Sequence, residues 1–197
     1  MLFQNENTEE KIMRATFKVV QREGLQKATT KKIAAEAGVN EVTIFRKFEN
    51  KKNLIETTQK FYMDTLINKL NETFDYDEDE GIEEYLKKCF NGILEYSEDD
   101  FKVIGVALQE VRDDPDRKLL MSTITDTIII KLDNFFKLQL EKGVLKNINS
   151  KAVALMCFSL IFQSIILWQI YGSNTDMEAD YYAEDFLNII FNGIKRK

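Results

Sequence analysis

From Thr8 to Glu23, apolar side chains return every three or four positions. Ile12, Ala15, Val19 and Val20 share roughly one face, with charged residues between them. This spacing predicts an amphipathic helix. Asn7 can cap it with Glu10 three residues on, Glu9 and Glu10 suit the positive end of its dipole, and Gly24 supplies the stop. The same pattern places short helices over 31–37 and 41–48. A long helix follows, starting after Asn50 and reaching to about Phe74, on the order of 35 Å at 1.5 Å per residue. After the acidic stretch 75–81 come helices over 82–96 and 98–112, the second opened by a Ser97–Asp100 capping pair. Asp114 and Pro115 then start a helix that runs to Lys142 and stops at Gly143. The last two helices span 151–171, stopped by Gly172, and 177–194. With one proline, eight glycines and long periodic stretches, the expected fold is all-α. About nine helices form a three-helix head and a larger helical body, divided as 1–50 and 51–197.

Charge changes this picture because it is uneven. The chain carries −6 overall, yet residues 1–56 hold 11 basic and 8 acidic side chains, against 16 and 25 in the rest. A basic head therefore sits on an acidic body, and only the head suits a phosphate backbone. Histidine is absent, which excludes His-based triads, His general bases and His-ligated zinc. No nucleophile–base pair or metal cluster stands out, so no enzyme activity, metal or cofactor is expected. Cys89 and Cys157 lie in apolar helical runs and read as buried reduced thiols. The opening MLFQNENTEEK has no signal-like apolar core, and a cytoplasmic protein is expected.

The head carries the most specific pattern, TTKKIAAEAGVNEVTIFRKFENKKNL over residues 29–54. Two short helices flank a turn at Gly38, where glycine tolerates positive φ, and Asn40 can cap the second helix. That is the layout of a helix-turn-helix, whose second helix enters the DNA major groove. Ile33, Ala34, Ala37, Val39, Ile44 and Phe48 can form its small core. Glu41, Val42, Thr43, Arg46 and Lys47 are left facing outward. Arg46 can reach guanine or phosphate, Lys47 a phosphate, and Thr43 a base methyl or phosphate, while Glu41 can accept from cytosine N4 or stay solvated. Lys31 and Lys32 open one helix and Lys51 and Lys52 another. Cations there oppose the macrodipole, so an external anion such as a DNA backbone is implied. Solvated surface charge is the alternative.

The run resembles the helix-turn-helix of the TetR family of bacterial transcriptional regulators. The resemblance rests on Thr30, Ile33, Ala34, Ala37, Gly38, Val39, Thr43, Phe45, Phe48 and Lys51, closed by Leu54. It implies that Thr30, Thr43, Lys47 and Lys51 touch DNA. Phe45 stands where the family usually has a tyrosine whose hydroxyl contacts phosphate. Its own contact would be apolar, or it would serve only as core.

In the body, residues 152–172 form the most apolar segment, interrupted by Ser159, Gln163, Ser164 and Gln169. Without basic flanks or aromatic belts it reads as a buried helix rather than a membrane span. The family resemblance implies a homodimer joined through the last two helices. The stripe Phe158, Phe162, Ile165 and Gln169, with Phe186 and Ile190, is the expected interface, internal core being the other reading. It also implies a ligand pocket, for which Phe61, Tyr62, Phe90, Phe101, Leu108, Phe135 and Trp168 are candidates or ordinary core. Glu110 is a counter-charge for a cationic ligand or simply a solvated residue. Asp75, Asp77 and Asp79 are spaced like a calcium loop, but Glu80 takes the glycine slot and Leu86 the place of the bidentate glutamate, which disfavours a metal site. The expected function is a ligand-responsive DNA-binding regulator. Most simply it is a repressor released from a pseudo-palindromic operator by a small apolar or amphipathic molecule. A helical small-molecule carrier without a DNA role is the alternative.

Overall fold

The computed structural model describes residues 7–113, 119–165, 185 and 187–189, the side chains of 106–113, 119–120 and 164–165 excepted. Every regular element among them is helical: α1 (Thr8–Glu23), α2 (Thr30–Ala37), α3 (Glu41–Phe48), α4 (Lys51–Thr73), α5 (Ile82–Leu94), α6 (Glu98–Asp113), α7 (Leu119–Glu141) and α8 (Ser150–Ile165). Asp185 and residues 187–189 are helical as well. The expected start of a helix at Asp114 and Pro115, and the stop at Gly172, lie outside the described residues.

Local chemistry accounts for the boundaries. The Asn7 side chain accepts from the Glu9 and Glu10 amides, both at 2.9 Å, and Glu10 reaches back to the Asn7 amide. These bonds satisfy donors that the first turn leaves without partners. At the other end of the small motif, Gly38 takes φ 61° and ψ 36°, and the Val39 amide closes on the Ala34 carbonyl at 3.0 Å. A side chain at Gly38 would meet the usual left-handed penalty.

The chain divides into two compact units, Met1–Thr65 and Leu66–Lys197. The division falls inside α4, past the start of that helix at which the sequence punctuates. Packing explains why the first turns of α4 group with the head. Leu54 is part of the head core, Thr58 is buried, and Tyr62 stacks on Phe17 with ring centroids 4.1 Å apart. The rest of that core is Ile12, Met13, Ala15, Val19, Ala28, Ile33, Ala34, Ala37, Ile44 and Phe48, with Val20 and Val39 against it.

The body core gathers around α7. Phe135 is fully buried against Tyr85, their centroids 3.9 Å apart, and the Tyr85 hydroxyl donates to the Phe74 carbonyl at 3.0 Å. Burial raises the Tyr85 pKa well above the ordinary phenol value. Cys89 and Cys157 are both buried and unbridged, and burial pushes each thiol up to about 12. The acidic loop between α4 and α5 is held by lysines. Lys88 bonds the Asp75 carbonyl and the Glu80 carboxylate, Lys131 pairs with Asp75 at 3.0 Å, and Lys142 pairs with Asp79 at 3.2 Å. Among the described residues, no helix is long and apolar enough to cross a membrane, and no carboxylate or thiol group gathers as a metal site.

Candidate nucleic-acid interface

The α3 helix is short and amphipathic. Ile44 and Phe48 anchor it in the head core, and Asn40 caps it by accepting from the Val42 amide at 2.9 Å. With 3.6 residues per turn, the two anchors fix which residues face out. Arg46 points most directly away from them. Glu41, Phe45 and Val42 occupy one flank, and Thr43 and Lys47 the other. Val42 is 70% exposed and Phe45 45% exposed. Two apolar side chains that open on a basic head cost hydration unless something covers them.

Several of the polar side chains already have partners within the head. The Thr30 hydroxyl donates to Glu41 Oε1 at 2.6 Å, which ties the first residue of α2 to the first residue of α3. Lys47 pairs with Glu9 of α1 at 2.9 Å. Lys51 Nζ donates to the Leu25 carbonyl at 3.1 Å. Lys32 bonds Glu23 and the Lys27 carbonyl, and this lysine holds the Glu23 carboxyl below its usual range. Lys52 lies 3.9 Å from Glu56, one turn along α4. The lysines at the two helix starts are therefore partly accounted for inside the head, by α1 and the turn that follows it. Lys31 and Arg46 stand exposed. Sequence spacing could not register these pairings, since they join residues 9 and 47, 25 and 51, and 30 and 41.

The family model for bacterial regulatory proteins of the tetR family matches residues 12–58, which takes in most of α1, all of α2 and α3, and the start of α4. Over these residues the chain is similar to the tetR family. A Bacillus subtilis (strain 168) protein described as the uncharacterized HTH-type transcriptional regulator YvkB is 43% identical over 49 residues, 25% of this chain and 26% of that protein. The nucleoid occlusion factor SlmA of Idiomarina loihiensis is 33% identical over 75 residues, 38% of each chain. These matches thus span well under half the length of the curated relatives. The fold likeness extends further. Salmonella enterica GusR superposes with a TM-score of 0.70 over 99% of both chains at 16% identity.

Among the described residues of the body, two spaces stand out. A small apolar cavity of about 10 Å³ is lined by Leu70, Ile93, Tyr96, Ile104, Ile124, Ile128, Phe158, Ile161 and Phe162. An open groove of about 530 Å³ runs along α4 and α7, with Asn71, Asp126, Thr127, Lys131 and Asn134 among its walls. Among the described residues, none of the aromatic ligand candidates lines the cavity. Phe90, Phe101 and Phe135 are buried in the body core, whereas Phe61 and Tyr62 belong to the N-terminal unit. Phe158 and Phe162, expected at a dimer interface, are half-buried, line this cavity and stack with ring centroids 5.5 Å apart. The opposite side of α8 is exposed at Ala152, Leu155, Met156, Ser159 and Gln163. The aliphatic wall, Ile93, Ile104, Ile124 and Ile128, escaped the sequence reading because isoleucine at helical spacing signals burial and nothing more. Trp168, Gln169, Phe186 and Ile190, and the side chains of Leu108, Glu110 and Ile165, lie outside the described residues.

Proposed function

We propose that this protein is a DNA-binding transcriptional repressor that works as a homodimer and leaves its operator when a small apolar molecule enters the body. The observation that carries the reading is the α3 face. Cationic Arg46 and Lys47 stand beside exposed Val42 and Phe45 on a helix set out from a well-packed core by a left-handed glycine turn. Arg46 and Lys47 suit phosphate or guanine, and the apolar pair suits thymine methyl groups. Two heads of one dimer would then read half-sites about 34–36 Å apart.

The effector reading rests on the small apolar cavity. Its described lining is almost wholly apolar, and at about 10 Å³ it has room for roughly one water. Sites for small molecules usually measure about 300–1,000 Å³. A ligand of that size therefore cannot occupy the described arrangement and would favour another, which is the differential affinity that allostery requires. A coupling of roughly 1–3 kcal/mol changes operator affinity about 5- to 150-fold. The second copy would cover the exposed side of α8, where Leu155 is 52% and Met156 45% exposed.

A gel-shift series on DNA upstream of the protein's own gene, run at increasing salt, tests the first part. Retention that falls steeply with salt is expected. Absence of any shift on that DNA and on a random duplex pool would refute DNA binding and leave a helical carrier as the better reading. Mass spectrometry of molecules that co-purify with the protein tests the effector class, and a neutral, largely apolar compound is expected.

A further inference from the structure

Glu41 is anomalous on a surface meant for DNA. A carboxylate there is repelled by phosphate, so it weakens binding everywhere unless it meets a hydrogen-bond donor. In the major groove, donors come only from the exocyclic amines, N4 of cytosine and N6 of adenine; guanine O6 and thymine O4 are acceptors. Glu41 is also not loose. Its Oε1 accepts from the Thr30 hydroxyl at 2.6 Å, in a half-buried contact between the first residues of α2 and α3. Residues at the start of a recognition helix are those that meet base edges. The neighbours on this flank, Val42 and Phe45, are exposed and have no group that could bond a phosphate. This flank is therefore built for base edges, and the backbone contacts fall to Arg46 and Lys47.

We infer that Glu41 reads one base in each half-site as an amine-bearing base, cytosine or adenine, and that Thr30 is its positioning residue rather than a DNA contact. The inference rests on the DNA-binding reading above and deepens it. Thr30 spends its only hydrogen on Oε1, which fixes the carboxylate plane and leaves Oε2 to accept from the base amine. Guanine or thymine at the same place would set a carbonyl oxygen against that oxygen and be rejected. A glutamine could turn its amide to donate to either carbonyl, so it would lose the distinction between amine and carbonyl bases.

Binding-site selection from a randomised duplex pool tests this with the full-length protein and the variants Glu41→Gln, Thr30→Val and Thr30→Ser, each checked for helicity by circular dichroism. The wild type should favour amine-bearing over carbonyl-bearing bases at one position per half-site by roughly 5- to 30-fold. Glu41→Gln should erase that bias, Thr30→Val should reduce it, and Thr30→Ser should restore it. Salt slopes should stay alike in all four proteins, because no phosphate contact changes. A wild-type pool without such a position overturns the inference. So does a Glu41→Gln protein that binds every sequence more tightly by one common factor, the mark of a merely repelled surface charge. Equal loss of affinity for all sequences in Thr30→Val would make the bond only structural and overturn the positioning role. A wild type that retains no duplex at all fails earlier, by refuting DNA binding itself.

Discussion

Glu49 closes α3 with φ 65° and ψ −48°, and it is the one non-glycine residue with positive φ among the described residues. An L side chain in that region carries strain of about 1–3 kcal/mol. Its amide is nonetheless bonded to the Phe45 carbonyl at 2.9 Å, and the next residue, Asn50, caps the following helix through the Asn53 amide. Replacing Glu49 with glycine should therefore stabilise the head by about 1 kcal/mol, measured as a higher denaturant midpoint with an unchanged slope. No sequence signal marks this strain, because glutamate is ordinary at a helix end. Gly38 and Asn7 were legible for the opposite reason: each is the residue type its conformation or cap demands. Phe45 supports a second expectation at this scale. Phe45→Tyr adds a hydroxyl at the edge of the recognition helix and should tighten operator binding about 3- to 10-fold, the effect of one added hydrogen bond. The salt slope should not change in gel-shift titrations, since a neutral hydroxyl displaces no counterion.

Among the elements, α1 restrains α3. Glu9 holds Lys47 by an ion pair, and a phosphate would have to displace it. Glu9→Gln should raise affinity for DNA a few-fold at low salt. Lys47→Ala should weaken binding and lower the magnitude of the salt slope by about 0.9. Unchanged slopes in Lys47→Ala would remove it from the phosphate contacts. In the body, Asp100 is buried at the start of α6 and accepts from Lys69 of α4 and from the Ser97 hydroxyl and amide. Burial by itself would raise this carboxyl, but the Lys69 and Ser97 bonds together outweigh it and hold the pKa below the usual aspartate value. A carboxylate depressed by folding stabilises above its unfolded pKa, near 4, and that contribution is lost as pH falls through the lower folded value. Thermal melts should therefore show the wild type losing part of its advantage over Asp100→Asn below about pH 4. The Ser97–Asp100 cap was readable from sequence as a local pattern. Its partner Lys69 was not, because it is 31 residues away from Asp100. Similarly, sequence showed that α8 is apolar nearly all round, and only packing distinguished its buried side at Ala154, Cys157 and Ile161 from the exposed one.

At the level of the whole molecule, the exposed α8 face gives the dimer proposal a direct check. Leu155→Asp combined with Met156→Asp should leave helicity intact and halve the mass seen in sedimentation, with loss of tight binding to a two-half-site operator. A double variant that sediments like the wild type would move the seam elsewhere. The all-helical class and the head were legible because periodicity and turn residues act within a few positions. The cavity wall and the internal partners of Lys47 and Lys51 were not, because they arise only when distant segments meet.

The two shielded sulfurs supply an internal timer. With Cys89 and Cys157 buried and their thiols pushed up to about 12, almost no thiolate exists at neutral pH, and alkylating reagents must wait for the surrounding helices to part. Cys157 lies next in sequence to Phe158 of the cavity wall, so its rate of capture measures how often that wall opens. An effector that wedges the wall apart would quicken the capture, and one that merely fills and seals it would slow it.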